Sequence, residues 1–323
     1  MTVQDHLRKL LESNKDVFFS GEEIARKLGV SRNAVWKAIQ SLRSDGYPID
    51  AVPNKGYCLS PASDVLSESG IRQYLRGEAQ SLDLRVRDSV SSTNLVLREL
   101  ADAGAPEGTV VVAASQTGGR GRKGRNFFSP EGTGVYVSIL LKPGIGAGDA
   151  TLITTTAAVA VCDAVEAVSD RKPEIKWVND VYIGGKKICG ILTEASLSME
   201  SGRIEYAALG TGVNVYTPEG GFPQEIRAIA GSVFDRPRPD AKNRLIAEYL
   251  NSFLPRYRDL GGKSTISEYQ RRSFVVGRKI TVISGGIETP ATALGVDGRC
   301  RLLVEYADGT RAALSSGEIS IRL

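Results

Sequence analysis

Apolar residues recur at helical spacing up to Ser44, follow no single period between Val65 and Arg272, and alternate one for one beyond Ser273. A 3.6-residue repeat buries one stripe of a helix and a two-residue repeat buries one face of a sheet, so a chain whose period changes twice cannot use one packing scheme throughout. Three folding segments are expected, at 1–63, 64–272 and 273–323, and 323 residues give each enough chain for a core. The class is α+β.

The first segment carries its own start and stop signals. Ser20-Gly21-Glu22-Glu23 has the form of a capping box and opens a helix from Gly21 to Leu28, after an earlier one from Asp5 to Leu11. Leu28-Gly29-Val30 turns tightly. Ser31 then caps a third helix that ends near Ser44, with Val35, Ile39 and Leu42 on one buried face. Ile49 to Val52 and Gly56 to Leu59 read as a short hairpin, the wing of a winged helix-turn-helix. The open face of the third helix presents Ser31, Arg32, Asn33, Lys37 and Gln40. No acid lies between Ser31 and Ser44, so a phosphate backbone could approach without repulsion. These five are candidate DNA contacts, although a helical interaction domain that never meets DNA would carry the same turn and cap. Ser60-Pro61-Ala62-Ser63-Asp64 reads as a linker.

In the middle segment, strands are expected at Thr109 to Ser115, Gly134 to Leu141, Ile175 to Ile183, Ile188 to Glu194 and Tyr206 to Val215. Helices are expected at Thr93 to Ala103, Asp149 to Val168 and Asp240 to Leu260. This pattern makes a mixed sheet with helices. Beyond Ser273, four short strands separated by Asp297-Gly298 and Asp308-Gly309 suggest a small barrel.

Composition removes several functions. His6 is the only histidine, which excludes Ser-His and Cys-His nucleophile pairs and histidine metal centres. Cys58, Cys162, Cys189 and Cys300 are far apart and show no C-x-x-C spacing, as expected of reduced thiols, and no metal site is expected. A net charge of +4 directs any nucleic-acid contact to a local patch. The first residues lack a signal-peptide core and no uncharged apolar run reaches membrane-spanning length, so a cytoplasmic protein without a membrane partner is expected.

After the strand at Thr109 to Ser115 comes Gly119 to Arg125, reading GRGRKGR. Four cations among three glycines suit an anion, because glycine admits close backbone approach and Arg forks bind carboxylate or phosphate with two hydrogen bonds. The stretch fits G-x-G-x-x-G, but Pro130 and Gly132 follow where a dinucleotide-binding helix would open. It also has P-loop glycine spacing, with Arg125 and Asn126 where Lys and Ser or Thr must stand. A kinase glycine loop would need Val where Asn126 is. A solvated basic loop is the plain alternative.

Three further segments make the pattern specific: Lys176-Trp177-Val178-Asn179-Asp180, Gly185-Lys186-Lys187-Ile188-Cys189-Gly190-Ile191-Leu192-Thr193-Glu194, and Gly210-Thr211-Gly212-Val213-Asn214-Val215. With Ser92-Thr93-Asn94 before them and Gly317 to Arg322 at the end, their order resembles the bacterial biotin protein ligases. The winged helix in front makes the resemblance greatest to the bifunctional, BirA-type members, which also repress biotin operons. It spans the chain from the N-terminal helices to Arg322.

The resemblance implies a central domain of the class II synthetase/biotin ligase type and an SH3-like C-terminal barrel. It implies that biotin and ATP, with Mg2+, give biotinyl-5'-AMP, from which biotin passes to a lysine of a biotin carboxyl carrier protein. Lys187, Arg120 and Arg122 are the implied catalytic cations. Ser92, Thr93, Asn94, Gln116, Gly119, Arg120, Gly121, Arg122, Lys187 and Gly190 are implied around biotin. Arg122, Lys176, Trp177, Asn179, Asp180, Asn214 and Arg322 are implied around ATP. The glycines of the basic loop would act as hinges of a lid, and Tyr216 to Ala230 falls where the family orders a second loop over the adenylate. On the residues alone, Lys187 could be an exposed strand-end lysine, Trp177 a core residue and Arg322 a frayed terminal charge. Operator DNA and a homodimer formed with biotinyl-5'-AMP are the further partners implied. A biotin-adenylate-sensing regulator without transfer activity, or a lipoate-attaching relative, would share much of the pattern. Two departures stand out: Val178 replaces the usual Pro, which a strand would tolerate, and Val90 and Ser91 lengthen the motif before Ser92. Met1 and Met199 are the only methionines, so no Met-Lys-Met acceptor lies in this chain.

Overall fold

The structure is a computed structural model that describes residues 2–315 and 317–320. The chain forms two compact units, Met1–Tyr74 with Pro237–Arg244, and Leu75–Arg236 with Leu245–Leu323.

In the first unit, helices α1 (Val3–Glu12), α2 (Gly21–Leu28) and α3 (Arg32–Ser44) precede strands β1 (Ile49–Val52) and β2 (Gly56–Leu59) and a short helix α4 (Glu68–Arg72). Leu7, Leu11, Ile24, Val35, Ile39, Leu42 and Leu59 form the core. Gly29 ends α2 in the left-handed region, and Ser31 Oγ accepts from Ala34 N at 3.2 Å to start α3. Only half of the expected capping box forms at Ser20, whose hydroxyl accepts from Glu23 N at 3.1 Å. Glu23 instead pairs with Lys27 one turn on, at 3.3 Å. The reciprocal box is at Thr2 and Asp5, where the Thr2 amide donates to the Asp5 carboxylate at 2.9 Å. The expected linker is packed, since Ser63 is buried and its carbonyl accepts from Asp240 N at 3.1 Å.

A seven-stranded mixed sheet makes the centre of the second unit. Its strands are β3 (Asp83–Val90), β4 (Thr109–Gln116), β5 (Gly134–Leu141), β6 (Glu174–Lys176), β7 (Asp180–Ile183), β8 (Lys186–Leu197) and β9 (Ile204–Asn214), in the order β3-β4-β5-β9-β8-β7-β6. Only β3 and β4 run parallel. Helix α5 (Thr93–Asp102) packs on β4, β5 and β9, and α6 (Ala150–Val168) on β6 to β9. Helix α6 is long and apolar enough to cross a membrane by composition, yet 67% of its apolar window is buried inside the protein. A short helix α7 (Gln224–Arg227) lies in the loop after β9, and α8 (Ala241–Arg258) and α9 (Lys263–Arg272) follow. Arg272, with a side chain only 5% exposed, joins α9 to Glu166 and Asp163 of α6 at 2.7 and 3.2 Å. Its hydrogen bond to Glu166 holds that carboxyl below its ordinary range.

Two sequence expectations need correction. Ile175 to Ile183 is not one strand but a hairpin, β6 and β7, with Lys176 paired to Asp180 and Trp177 to Asn179 in the turn. Val178 therefore does not occupy a strand, and the peptide before it is cis. Strand β3 and helix α9 were not expected at all. Strand β3, at a sheet edge, alternates Leu84 and Val86 with Asp83, Arg85 and Arg87 over only its first half and buries Leu84 alone, so its signal is short. The C-terminal strands β10 (Lys279–Ser284), β11 (Ile287–Val296), β12 (Leu302–Tyr306), β13 (Arg311–Leu314) and β14 (Glu318–Ser320) form a five-stranded antiparallel sheet in the order β13-β12-β11-β10-β14.

The wing depends on one glycine. Gly56 has φ of 104°, and a Cβ there would lie 2.1 Å from the Phe19 carbonyl oxygen. We expect Gly56→Ala to lower stability by about 2 kcal/mol or more through strain and the backbone clash, measured by denaturant unfolding of the full chain.

Candidate active site

Three glycines hollow out the central sheet. Gly190 of β8 pairs directly with Gly212 of β9, and Gly210 lies two residues along the same face. A Cβ on Gly210 would stand 2.4 Å from Asn94 Oδ1, and one on Gly212 2.6 Å from the Phe127 ring. A Cβ on Gly190 would meet the same ring at 3.0 Å and Lys187 Nζ at 3.3 Å. The missing side chains thus form the floor of a trough between Asn94 at one end and Phe127 with Lys187 at the other. It is part of a cleft of about 680 Å3.

One end of the cleft is a closed hydrogen-bond network at the start of α5. Gln116 Oε1 accepts from the Thr93 amide at 2.8 Å and from its hydroxyl at 3.2 Å, and Gln116 Nε2 donates to Ser129 Oγ at 3.0 Å. Ser138 Oγ lies 2.6 Å from Asn94 Oδ1 and 2.8 Å from Thr93 Oγ1, and Asn94 Nδ2 donates to Glu194 at 2.8 Å. Ser92, Thr93 and Asn94 are nearly inaccessible, so the wall they make is rigid and polar. Such a wall suits a small ligand with both donors and acceptors.

The other end is cationic. The basic loop folds back on itself, with Gly121 N donating to Arg125 O at 2.7 Å and Phe127 N to Gly119 O at 2.9 Å. Of its glycines only Gly124, with φ of 73°, uses the left-handed region. Gly119 is buried and is needed for space, since a Cβ would sit 2.4 Å from the Phe127 carbonyl oxygen. Arg120 reaches Glu194 at 3.5 Å, Arg122 donates to Asn179 Oδ1 at 3.1 Å, and Lys187 Nζ pairs with Asp180 at 2.7 Å. Two cations from the basic loop and one from the start of β8 therefore line one cleft, Arg122 and Lys187 toward its cationic end and Arg120, through Glu194, beside the polar wall.

The hairpin turn is fixed on several sides. Asn179 exchanges hydrogen bonds with Ile191, its carbonyl accepting at 3.0 Å and its side chain donating at 2.9 Å. Tyr269 OH donates to Val178 O at 3.0 Å, and Trp177 Nε1 to Cys300 O at 2.9 Å. Trp177 is 3% exposed, so its indole packs in the core while it also borders the cleft. Asn214 Nδ2 donates to Gly231 O at 3.0 Å, and the Lys187 amide donates to Ile229 O at 2.7 Å, which closes the 216–234 segment onto β8 and β9. Burial pushes the Cys189 thiol well above its ordinary range, so Cys189 remains protonated and is no nucleophile.

Every central residue singled out from the sequence lines this cleft except Gly119, which shapes the loop from beneath, and Arg322, which lies outside the described residues. Phe127 was missed, and so was Glu194 as the acceptor joining Asn94 to Arg120. The signal for Phe127 was present in the small residues at 190, 210 and 212, which share one face once the strand register is known. In the first unit, Arg32, Asn33 and Lys37 are exposed along α3 and engage no partner among the described residues, Gln40 is half-buried, and Ser31 is occupied as the cap.

The fold and the cleft define a ligase-type catalytic domain behind a helix-turn-helix. Residues 86–214 match the biotin/lipoate A/B protein ligase family, 3–58 the HTH domain, and 275–322 the biotin protein ligase C-terminal domain. The bifunctional ligase/repressor BirA of Bacillus spizizenii is 37% identical over 98% of both chains, and that of Escherichia coli is 29% identical over 94% of this chain and 93% of its own. The biotin protein ligase from Aquifex aeolicus in complex with biotin and ATP superposes with a TM-score of 0.61 at 26% identity, covering 74% of this chain and 98% of that one. This chain belongs to the bifunctional biotin ligase/repressor family.

If the trough glycines hold Phe127 and the basic loop together, Gly212→Ala must displace the ring. We expect trypsin to cut between Arg120 and Arg125 about tenfold faster in that variant, because cleavage follows the open population and 1.4 kcal/mol is a tenfold change.

Proposed function

We propose that the chain activates biotin with ATP and transfers it to a lysine of a biotin carboxyl carrier protein. The observation that carries this reading is a glycine-floored trough lined by Arg120, Arg122 and Lys187 and closed at one end by a rigid polar network. Adenylation brings a carboxylate up to a polyphosphate, and two anions approach only where cations offset their repulsion. The biotin carboxylate oxygen attacks the α-phosphorus and pyrophosphate leaves. An acceptor lysine amine then attacks the acyl carbon, AMP leaves, and the amide forms after loss of a proton.

The polar head of biotin suits Ser92, Thr93, Asn94 and Gln116, its tail the floor at Gly190, and its carboxylate Lys187. Gly119 and Gly121 let Arg120 and Arg122 close over it. Lys176, Trp177, Asn179, Asp180 and Asn214 suit the nucleotide, and Arg322 is the proposed C-terminal contact. Asp180 offers a carboxylate and Asn179 and Asn214 carboxamide oxygens, a hard-oxygen set that fits Mg2+ shared with ATP phosphates. The functional divisions are 1–63, 64–272 and 273–323. The first segment uses Ser31, Arg32, Asn33, Lys37 and Gln40 at operator DNA, and biotinyl-5'-AMP promotes the homodimer that a palindromic operator needs. The setting is cytoplasmic.

Biotin-dependent exchange between ATP and pyrophosphate tests activation. We expect it in the purified protein and expect Lys187→Ala to lower it about 10²- to 10³-fold, the usual effect of removing one transition-state charge contact. Absence of exchange in the unaltered protein would overturn the enzyme reading. Biotin bound without a mass increase on the carrier would indicate a sensor instead.

Operator binding should need biotin and ATP. We expect Arg32→Ala with Lys37→Ala to reduce the slope of log affinity against log salt by about 2, one unit per phosphate contact. An unchanged slope would remove these two residues from the interface.

A further inference from the structure

Helix α3 exposes a large aromatic that the phosphate-contacting reading does not use. Trp36 is 52% exposed, whereas the other tryptophan, Trp177, is 3% exposed. Trp36 follows the buried Val35 and so lies about 100° around the helix from it, on the shoulder of the open face. Arg32 is one turn before it and Gln40 one turn after, with Asn33 and Lys37 alongside. A half-exposed indole offers a partner apolar area with a polar tip on a face that is otherwise polar and cationic, the kind of side chain that interfaces favour.

We propose that Trp36 is a sequence-reading residue that packs against thymine methyl groups in the major groove of operator DNA. The inference rests on the DNA-binding reading and specifies how that face discriminates sequence. Charge selects the partner: α3 has no acid along its length, and Arg32 and Lys37, neighbours of Trp36 along the helix, engage no partner among the described residues, a surround that attracts a polyanion. The other cation of the helix is not available, because Arg43 Nε and Nη2 both donate to Ile49 O, at 3.0 and 2.7 Å. Contacts from Arg32 and Lys37 to phosphate carry no sequence information, so they cannot by themselves choose an operator. In the major groove thymine alone shows a methyl group, and an apolar side chain distinguishes it from cytosine. The first turns of a recognition helix reach base edges, and Trp36 is the fifth residue of α3.

The test uses the full chain with biotin and ATP, a duplex selected from a randomised library by the unaltered protein, and an unselected duplex of equal length. We expect Trp36→Ala to bind the selected duplex about tenfold more weakly, within the range for losing one base contact, and the unselected duplex almost unchanged. Replacing single thymines of the selected duplex by deoxyuridine should weaken the unaltered protein about fourfold at one or two positions, as burial of one methyl implies. Those replacements should cost Trp36→Ala nothing further. Trp36→Phe should keep part of the discrimination, and pyrophosphate exchange in both variants should match the unaltered protein. Acrylamide should quench Trp36 emission less when the selected duplex is bound. Equal weakening on both duplexes, or a deoxyuridine effect of the same size in Trp36→Ala, would overturn the inference while leaving DNA binding intact. If the unaltered protein selects no duplex at all, the repressor reading fails and this inference with it.

Discussion

The pairing of Gly190 with Gly212 at the centre of the sheet is the constraint on which the site depends. Adjacent strands normally draw stability from side-chain pairs directly opposite each other, and here two such side chains are missing from one face. Glycine in a strand costs about 0.5–1 kcal/mol relative to alanine, so the hollow is destabilising unless the rest of the sheet compensates. Compensation is visible one residue away. Thr211, between Gly210 and Gly212, turns to the opposite face, where its hydroxyl lies 2.9 Å from that of the buried Tyr249 on α8. The same three residues are hollow on one side and fastened on the other, which allows a cavity inside a sheet whose pairing runs unbroken across Gly210, Thr211 and Gly212 on both sides.

Within this frame the three cleft cations differ in how firmly they are held. Lys187 and Asp180 are mostly shielded and 2.7 Å apart, so an incoming anion joins an existing charge pair whose geometry is already set. Arg122 is held by a neutral carboxamide, which leaves its charge available. Arg120 is about half exposed and meets Glu194 at 3.5 Å, a separation at which an exposed pair contributes only about 0–1 kcal/mol. Arg120 is therefore the cation most easily released when the loop moves. Glu194 also holds Asn94, so the acceptor that Arg120 would leave is part of the polar wall at the far end of the trough.

What could be read from the sequence was local, and what could not was fixed by distant residues. The limits of α2, α3, β1 and β2 follow from caps, one left-handed glycine and short-range periodicity, all contained within the segment itself. The motif residues were legible because their chemistry and order are linear. The hairpin of Trp177 to Asn179 was hidden because Trp and Val favour strands, and its turn is fixed by Tyr269 and Cys300, which lie 91 and 123 residues along the chain from their partners. Gly210, Gly212 and Gly190 were visible as letters, but their common face was not, because register is a property of the folded pair. Phe127 was overlooked for the same reason.

Net charge would not have found either cationic surface. The whole chain carries +4, a field too weak to concentrate polyanions, so function depends on how the cations are arranged locally. In the central unit acids and carboxamides hold the cleft cations in place, as suits a small ligand that must be positioned to a fraction of an ångström. On α3, Arg32 and Lys37 engage no partner among the described residues, as suits a long polyanion whose counterions they must displace. Preorganised cations favour precise placement and unpaired cations favour salt-dependent encounter. The two surfaces of this chain differ in that respect before any ligand arrives.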